Sequence, residues 1–282
     1  MRRELSELDP TRWSWNQEAI EAVESPTILS RYMERVVRRA VDACTGDQAL
    51  QQRVSLCNDI VGRLSTRVPA AELYGSTIAP QVEILLALLE RSTSPDLSID
   101  RLGELRPKTG LSQSTLLTGS PREPSLASEL RKEILSSDKI DILMSFIKWS
   151  GLRLIEKELH EFTSRPNTTL RIITTSYIGA TDLRAVSLLA SLSNTKVRVS
   201  YDTNRTRLHA KAYLFHRNSG FTTAYIGSSN ISGAAITSGL EWNLKVTARD
   251  APDIVSKFVG TLETYWSDPR VPGLLAGRRA YS

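Results

Sequence analysis

Residues 209–243 read HAKAYLFHRNSGFTTAYIGSSNISGAAITSGLEWN, and the fold follows from how this stretch alternates. Residues 208–215, LHAKAYLF, alternate around His209, Lys211 and Tyr213. A period of two puts His209, Lys211 and Tyr213 on one face of a strand, and Leu208, Ala210, Ala212 and Leu214 on the other. Asn218 to Gly220 supplies a turn. Thr222 to Ile226 makes the next strand and ends in the small residues Gly227, Ser228, Ser229 and Asn230. A helix or turn then leads to a last strand over 240–247, with Glu241, Asn243 and Lys245 on one face.

Upstream, the chain alternates between helix and strand. Residues 126–136 read as a helix capped by Ser125 with Glu129 in its first turns. The apolar run 140–147, IDILMSFI, suits a buried strand, and 151–162 an amphipathic helix. LRIITT (170–175) is a second strand, 182–192 a helix and KVRVS (196–200) a third strand. Residues 252–266 close the pattern as a helix. Alternation with short connections predicts an α/β domain whose mixed central sheet is largely parallel and flanked by helices.

The N-terminal third reads as helical. Ile28, Tyr32, Val36, Val37, Ala40 and Val41 recur at helical spacing, with Arg31, Arg35, Arg38 and Arg39 on much of the other face. That face either tracks phosphates or is simply solvated. Val54, Leu56, Ile60, Val61 and Leu64 mark a second helix, and Pro80 opens a third. Residues 93–125 carry turn-forming proline, serine and glycine and read as a linker or an extended connection between two units. The predicted division is therefore 1–115, a helical region with linker; 116–270, the α/β domain; and 271–282, a tail.

Composition narrows the class. Of 282 residues, 40% are hydrophobic and 24% charged, which is globular. A net charge of +5 mildly favours a polyanionic partner. Cys44 and Cys57 lie in helix-like sequence and read as small core residues of a reducing compartment. No Cys/His cluster suggests a structural metal. No apolar run reaches the length of a membrane span, and the N-terminus lacks the apolar region of a signal peptide. A cytoplasmic protein without membrane or cofactor is the expectation.

The 209–243 stretch carries the chemistry of phosphodiester cleavage. Such a reaction needs a nucleophile, a proton donor for the leaving oxygen and donors for the phosphoryl oxygens. His209 serves as nucleophile or acid, and Lys211 beside it adds positive charge. Gly227, Ser228, Ser229 and Asn230 offer backbone N–H groups, hydroxyls and an amide, with Gly227 allowing close backbone approach. Glu241 is placed to orient His209, or else to pair with a lysine across strands. Asn243 shares its face. Arg205 and Arg207 precede the histidine, with Arg207 a candidate for the substrate backbone. Lys148, Trp149 and Tyr177 follow apolar strands, where ligands gather in open α/β sheets. Trp149 either stacks on a base or packs into the core.

H-x-K at His209 and Lys211, followed by G-S-x-N at Gly227, Ser228 and Asn230, resembles the phospholipase D superfamily. That family's usual aspartate, five residues after the lysine, is replaced by His216. Glu241, shortly after the G-S-x-N asparagine, resembles the nuclease-like branch. The resemblance implies a phospholipase D-like sandwich acting without metal through a phosphohistidine. A single H-x-K implies a homodimer with one shared site. There one His209 attacks phosphorus and the other protonates the leaving oxygen, while Lys211 and Asn230 of both chains hold the phosphoryl oxygens.

LLTGSPREPSLASELRKEI, DILMSFIKWSGLRLIE, LRIITTSYIGATDLRA and VSYDTNRTRLHAKAYLFHR resemble the N-terminal region of bacterial superfamily 2 helicases that carry such a module. No GxxxxGK[ST] motor signature is present here. The expected function is a metal-independent nuclease acting on DNA, in repair or phage defence, with a helicase as partner or fused motor. The alternative is a non-catalytic DNA-binding and dimerisation module for such a motor. A phospholipid hydrolase is a third, weaker reading.

Overall fold

A computed structural model describes residues 18–83, 106–201 and 208–268, with positions 9, 12 and 103. Contacts divide the chain into two compact units, Met1–Ile84 and Leu85–Ser282. Residues 80–83, where a third helix is expected to open, are not helical; Arg205 and Arg207, the rest of that expected helix and the tail lie outside the described residues. Among the described residues, no helix is long and apolar enough to cross a membrane.

In the first unit, helices α1 (Ser25–Ala43) and α2 (Ala49–Arg67) form where the apolar periodicity predicts them. Arg53 on α2 donates to the carbonyls of Val41 and Cys44, at 3.0 and 2.9 Å, and so satisfies the end of α1. Arg38 pairs with Glu34 one turn away, which ties one arginine of the basic face to α1 itself. Cys44 and Cys57 are free and half-buried.

The second unit is built on a seven-stranded sheet in the order β1-β7-β6-β5-β2-β3-β4. Its strands are β1 (Thr115–Leu117), β2 (Lys139–Met144), β3 (Thr169–Thr175), β4 (Thr195–Ser200), β5 (Lys211–His216), β6 (Thr223–Gly227) and β7 (Asn243–Thr247). Between them lie α3 (Leu126–Leu135), α4 (Trp149–Leu152), α5 (Glu156–Ser164), α6 (Leu183–Ser191) and α7 (Gly233–Thr237), and α8 (Pro252–Ser267) follows β7. The Ser125 hydroxyl caps α3 by accepting from Ser128 N–H at 3.2 Å.

The period-two reading of β5 holds. Tyr213 and Phe215 join a core with Leu130, Leu152, Phe162 and Leu189 from the helices of one face. Ala212 and Leu214 face the other way, with Val255 and Leu262 of α8.

Two expectations need correction. The sheet is mixed, but only β2–β3 and β3–β4 are parallel, and the other four pairings are antiparallel. The turn between β5 and β6 is too short for a parallel crossover and closes a hairpin. Residues 106–125 are also not a free linker. Glu129, fully buried, accepts from the backbone N–H of Lys108 and Thr109 at 2.9 and 3.1 Å. Residues 115–117 then pair with β7. The proline and glycine of this segment turn a packed chain, and its described part belongs with the sheet. The amphipathic stretch 151–162 is likewise broken, with α4 ending at Leu152 and α5 starting at Glu156.

One buried ionic cluster binds the helical face to the sheet. Glu133 of α3 meets Arg217 and, at 3.0 Å, Lys245, and accepts from the hydroxyls of Thr223 and Tyr225. Burial pushes the Glu133 carboxyl up, but Arg217 and Lys245 outweigh it and hold it at about 2.

Candidate active site

The H-x-K pair, the end of β6 and the start of β7 meet at one end of the sheet, beside the carboxyl end of β2. His209 lies just ahead of β5 and is exposed. Lys211 opens β5 and is buried. Its Nζ donates to the His209 carbonyl at 3.0 Å and to Ser145 Oγ at 3.5 Å. It also lies 3.2 and 3.3 Å from the two imidazole nitrogens, a contact that selects neither tautomer. Burial pulls the Lys211 pKa down, and the Glu241 charge pushes it back up. A cation with little water around it acts more strongly on a nearby anion than one in bulk solvent.

Gly227 ends β6 where no side chain fits. A Cβ there would lie 2.2 Å from the Trp242 carbonyl and 2.7 Å from Asn243 Cα. The close approach lets Ser228 N–H donate to the Trp242 carbonyl at 3.0 Å. Ser228 Oγ accepts from Trp242 N–H at 3.1 Å and donates to the Glu241 carboxylate. Asn230 Oδ1 accepts from Phe146 N–H at 3.4 Å. Since Ser145, the next residue, touches Lys211, Asn230 is held close to the lysine.

His209, Lys211, Ser228, Asn230 and Glu241 thus gather in one place. Glu241 is bonded to Ser228, and its effect on the H-x-K pair is electrostatic, through Lys211. Ser229 and Asn243 turn inward instead. Ser229 is fully buried, donates to the Ala235 carbonyl at 3.3 Å and accepts from Asn243 Nδ2 at 2.8 Å. Both residues therefore hold the loop rather than face a substrate. Tyr213 shares the Lys211 face but is buried against Phe215, and burial pushes its hydroxyl well above the usual range.

Sequence reading passed over Ser145. Its hydroxyl donates to the Ala210 carbonyl at 3.1 Å and braces the lysine. The signal was a serine closing an apolar strand at the end where ligands gather. His216 lies on the far face of the sheet. Its Nε2 meets Asp141 at 2.8 Å, so the carboxylate there comes from the neighbouring strand. Burial pushes Asp141 up, but His216, Arg171 and Lys139 together hold it at about 2.

With this geometry in view, residues 130–266 match the family described as cardiolipin synthase, PLD-like domain. No curated protein matches the chain. Among solved structures, NucT from Helicobacter pylori is similar at 18% identity and a TM-score of 0.45, over 57% of this chain and 99% of that one. Nuc from Salmonella typhimurium, a phospholipase D family member, is similar at 20% identity and a TM-score of 0.44, over 57% and 99%. The yeast tyrosyl-DNA phosphodiesterase is similar at 11% identity and a TM-score of 0.30, over 47% and 31%.

Proposed function

We propose that this chain, whose residues 130–266 match a PLD-like domain, is a metal-independent phosphodiesterase that cleaves DNA from a site shared by two copies. One observation carries the reading. An exposed imidazole, His209, touches a buried ammonium, Lys211, beside the Ser228–Glu241 pair and Asn230. That is a nucleophile surrounded by groups suited to a phosphoryl oxygen.

The His209 imidazole attacks phosphorus, the bond to the leaving oxygen breaks, and a phosphohistidine forms. The partner subunit's His209 gives its proton to the leaving oxygen, then takes one from the water that cleaves the phosphorus–nitrogen bond. Lys211 and Asn230 hold the phosphoryl oxygens. Ser228 fixes Glu241 beside the lysine.

A row of apolar side chains next to the site supports the pairing of two copies. Leu116, Leu244 and Ile226 are register neighbours across β1, β7 and β6 and all three are exposed. Trp242 and Leu240, in the loop that carries Glu241, are 63% and 87% exposed. Contiguous exposed apolar surface marks an interaction site. The sequence resemblance further proposes a helicase motor as the machine this module serves.

The test is hydrolysis of single- and double-stranded DNA in EDTA by wild type and His209→Ala. Cleavage that survives chelation and vanishes in the variant is expected. DNA binding by a verified dimer without any cleavage would replace this reading with the binding module.

A further inference from the structure

Beyond β2 the chain is fastened to the backbone that follows Asn230. Ile147 bridges Ile231, and Lys148 N–H donates to the Ile231 carbonyl at 2.7 Å. A Cβ on Gly151 would come within 2.5 Å of Ser232 N, so α4 lies directly on this segment. Trp149 is therefore fixed relative to Asn230. The Arg184 guanidinium, from the first turn of α6, lies over its ring at 3.7 Å from the centroid. Asp182 accepts from Trp149 N–H at 2.8 Å and pairs with Lys148 at 3.2 Å. Lys148 thus has a carboxylate partner. Arg184 is exposed, and among the described residues no carboxylate pairs with it.

We propose that Arg184 is a phosphate-binding residue for the DNA strand that extends beyond the bond being cut. The inference rests on the phosphodiesterase reading and adds a second contact point to it. A guanidinium lying flat on an indole loses freedom but keeps its in-plane N–H groups for bidentate contact with a phosphate. Among the described residues Lys148 is paired with Asp182, whereas Arg184 has no carboxylate partner and is held over the Trp149 ring. A strand whose scissile phosphate sits at His209 and Asn230 passes it on leaving the site. The ring face that sequence reading offered to a base is taken by Arg184, so backbone phosphate rather than base is the group recognised.

The test compares wild type with Arg184→Ala, Arg184→Lys and, as a charge-loss control on the opposite face, Lys257→Ala. Each is assayed on a single-stranded oligonucleotide and on bis(p-nitrophenyl) phosphate, which has no second phosphate. Expected is a roughly tenfold greater loss of kcat/KM on the oligonucleotide for Arg184→Ala, carried by KM, with partial recovery in Arg184→Lys. The salt dependence of oligonucleotide binding should weaken by about one phosphate contact relative to Lys257→Ala. Equal losses on both substrates, or an unchanged KM and salt slope, overturn the proposal. If wild type binds DNA but hydrolyses nothing, the phosphodiesterase reading fails while the salt slope still decides for or against Arg184. Arg184-dependent binding to phosphatidylserine vesicles without DNA binding would overturn it in favour of a lipid surface.

Discussion

Ser228 and Asn243 show how two residues of similar appearance in the sequence carry different work. Ser228 holds Glu241 at the surface, so Ser228→Ala should lower kcat several-fold and leave the melting temperature within a degree or two. Asn243→Ala removes the donor to a buried hydroxyl and should cost about 1–3 kcal/mol of stability, read by urea denaturation. Gly227→Ala places a methyl group against the Trp242 carbonyl and should impair both folding and hydrolysis. The H-x-K and G-S-x-N spacing made His209, Lys211, Ser228 and Asn230 legible as a cluster. It did not reveal that Ser229 and Asn243 face inward. Asn243 is the register partner of Gly227, and its amide fills the space that a side chain would take there. Such a contact depends on cross-strand register, which no local pattern encodes.

Elements were legible where local chemistry decides them. Ser125 starts α3, and the β-branched runs make β2, β3 and β4. The parallel pairing of β2–β3 and β3–β4 was legible from the helices between them, but the antiparallel pairing of β1, β5, β6 and β7 was not, because direction is set by the length and path of each connection. The buried cluster across α3, the β5–β6 turn and β7 was equally hidden, since Glu133, Arg217 and Lys245 are far apart in the chain. Together with Asp141 it should dominate acid behaviour. Both carboxyls are held at about 2, below ordinary values of 4.5 and 3.8. Depressed folded values mean that the unfolded chain binds protons first. Their stabilisation is therefore complete above pH 4.5, and it is lost as pH falls towards 2. Urea midpoints measured down this range should drop steeply. Glu133→Gln should cost about 3 kcal/mol or more at neutral pH, by leaving two buried cations undercompensated, and should flatten the acid drop. An unchanged acid profile in that variant would remove Glu133 as its cause.

At the scale of the molecule, the exposed row of Leu116, Ile226 and Leu244 is drawn from three separate stretches, so only the folded sheet assembles it. Alternation shows that these side chains share a face with Ala224 and Val246, but not that α8 stops short of them. If this row and Trp242 bring two copies together, Leu244→Asp should yield a monomer by light scattering and abolish hydrolysis without unfolding the chain. Leu244→Asp removes any activity that depends on assembly, whereas subunit mixing isolates the sharing of the site itself. When wild type and His209→Ala exchange freely, a mechanism that needs both histidines makes every mixed dimer inactive. Activity then follows the square of the wild-type fraction and is about a quarter at equal amounts, whereas independent sites would leave about half. A linear decline would assign a complete site to each chain, and the search for the proton donor would move from the partner subunit's His209 to the groups around Lys211.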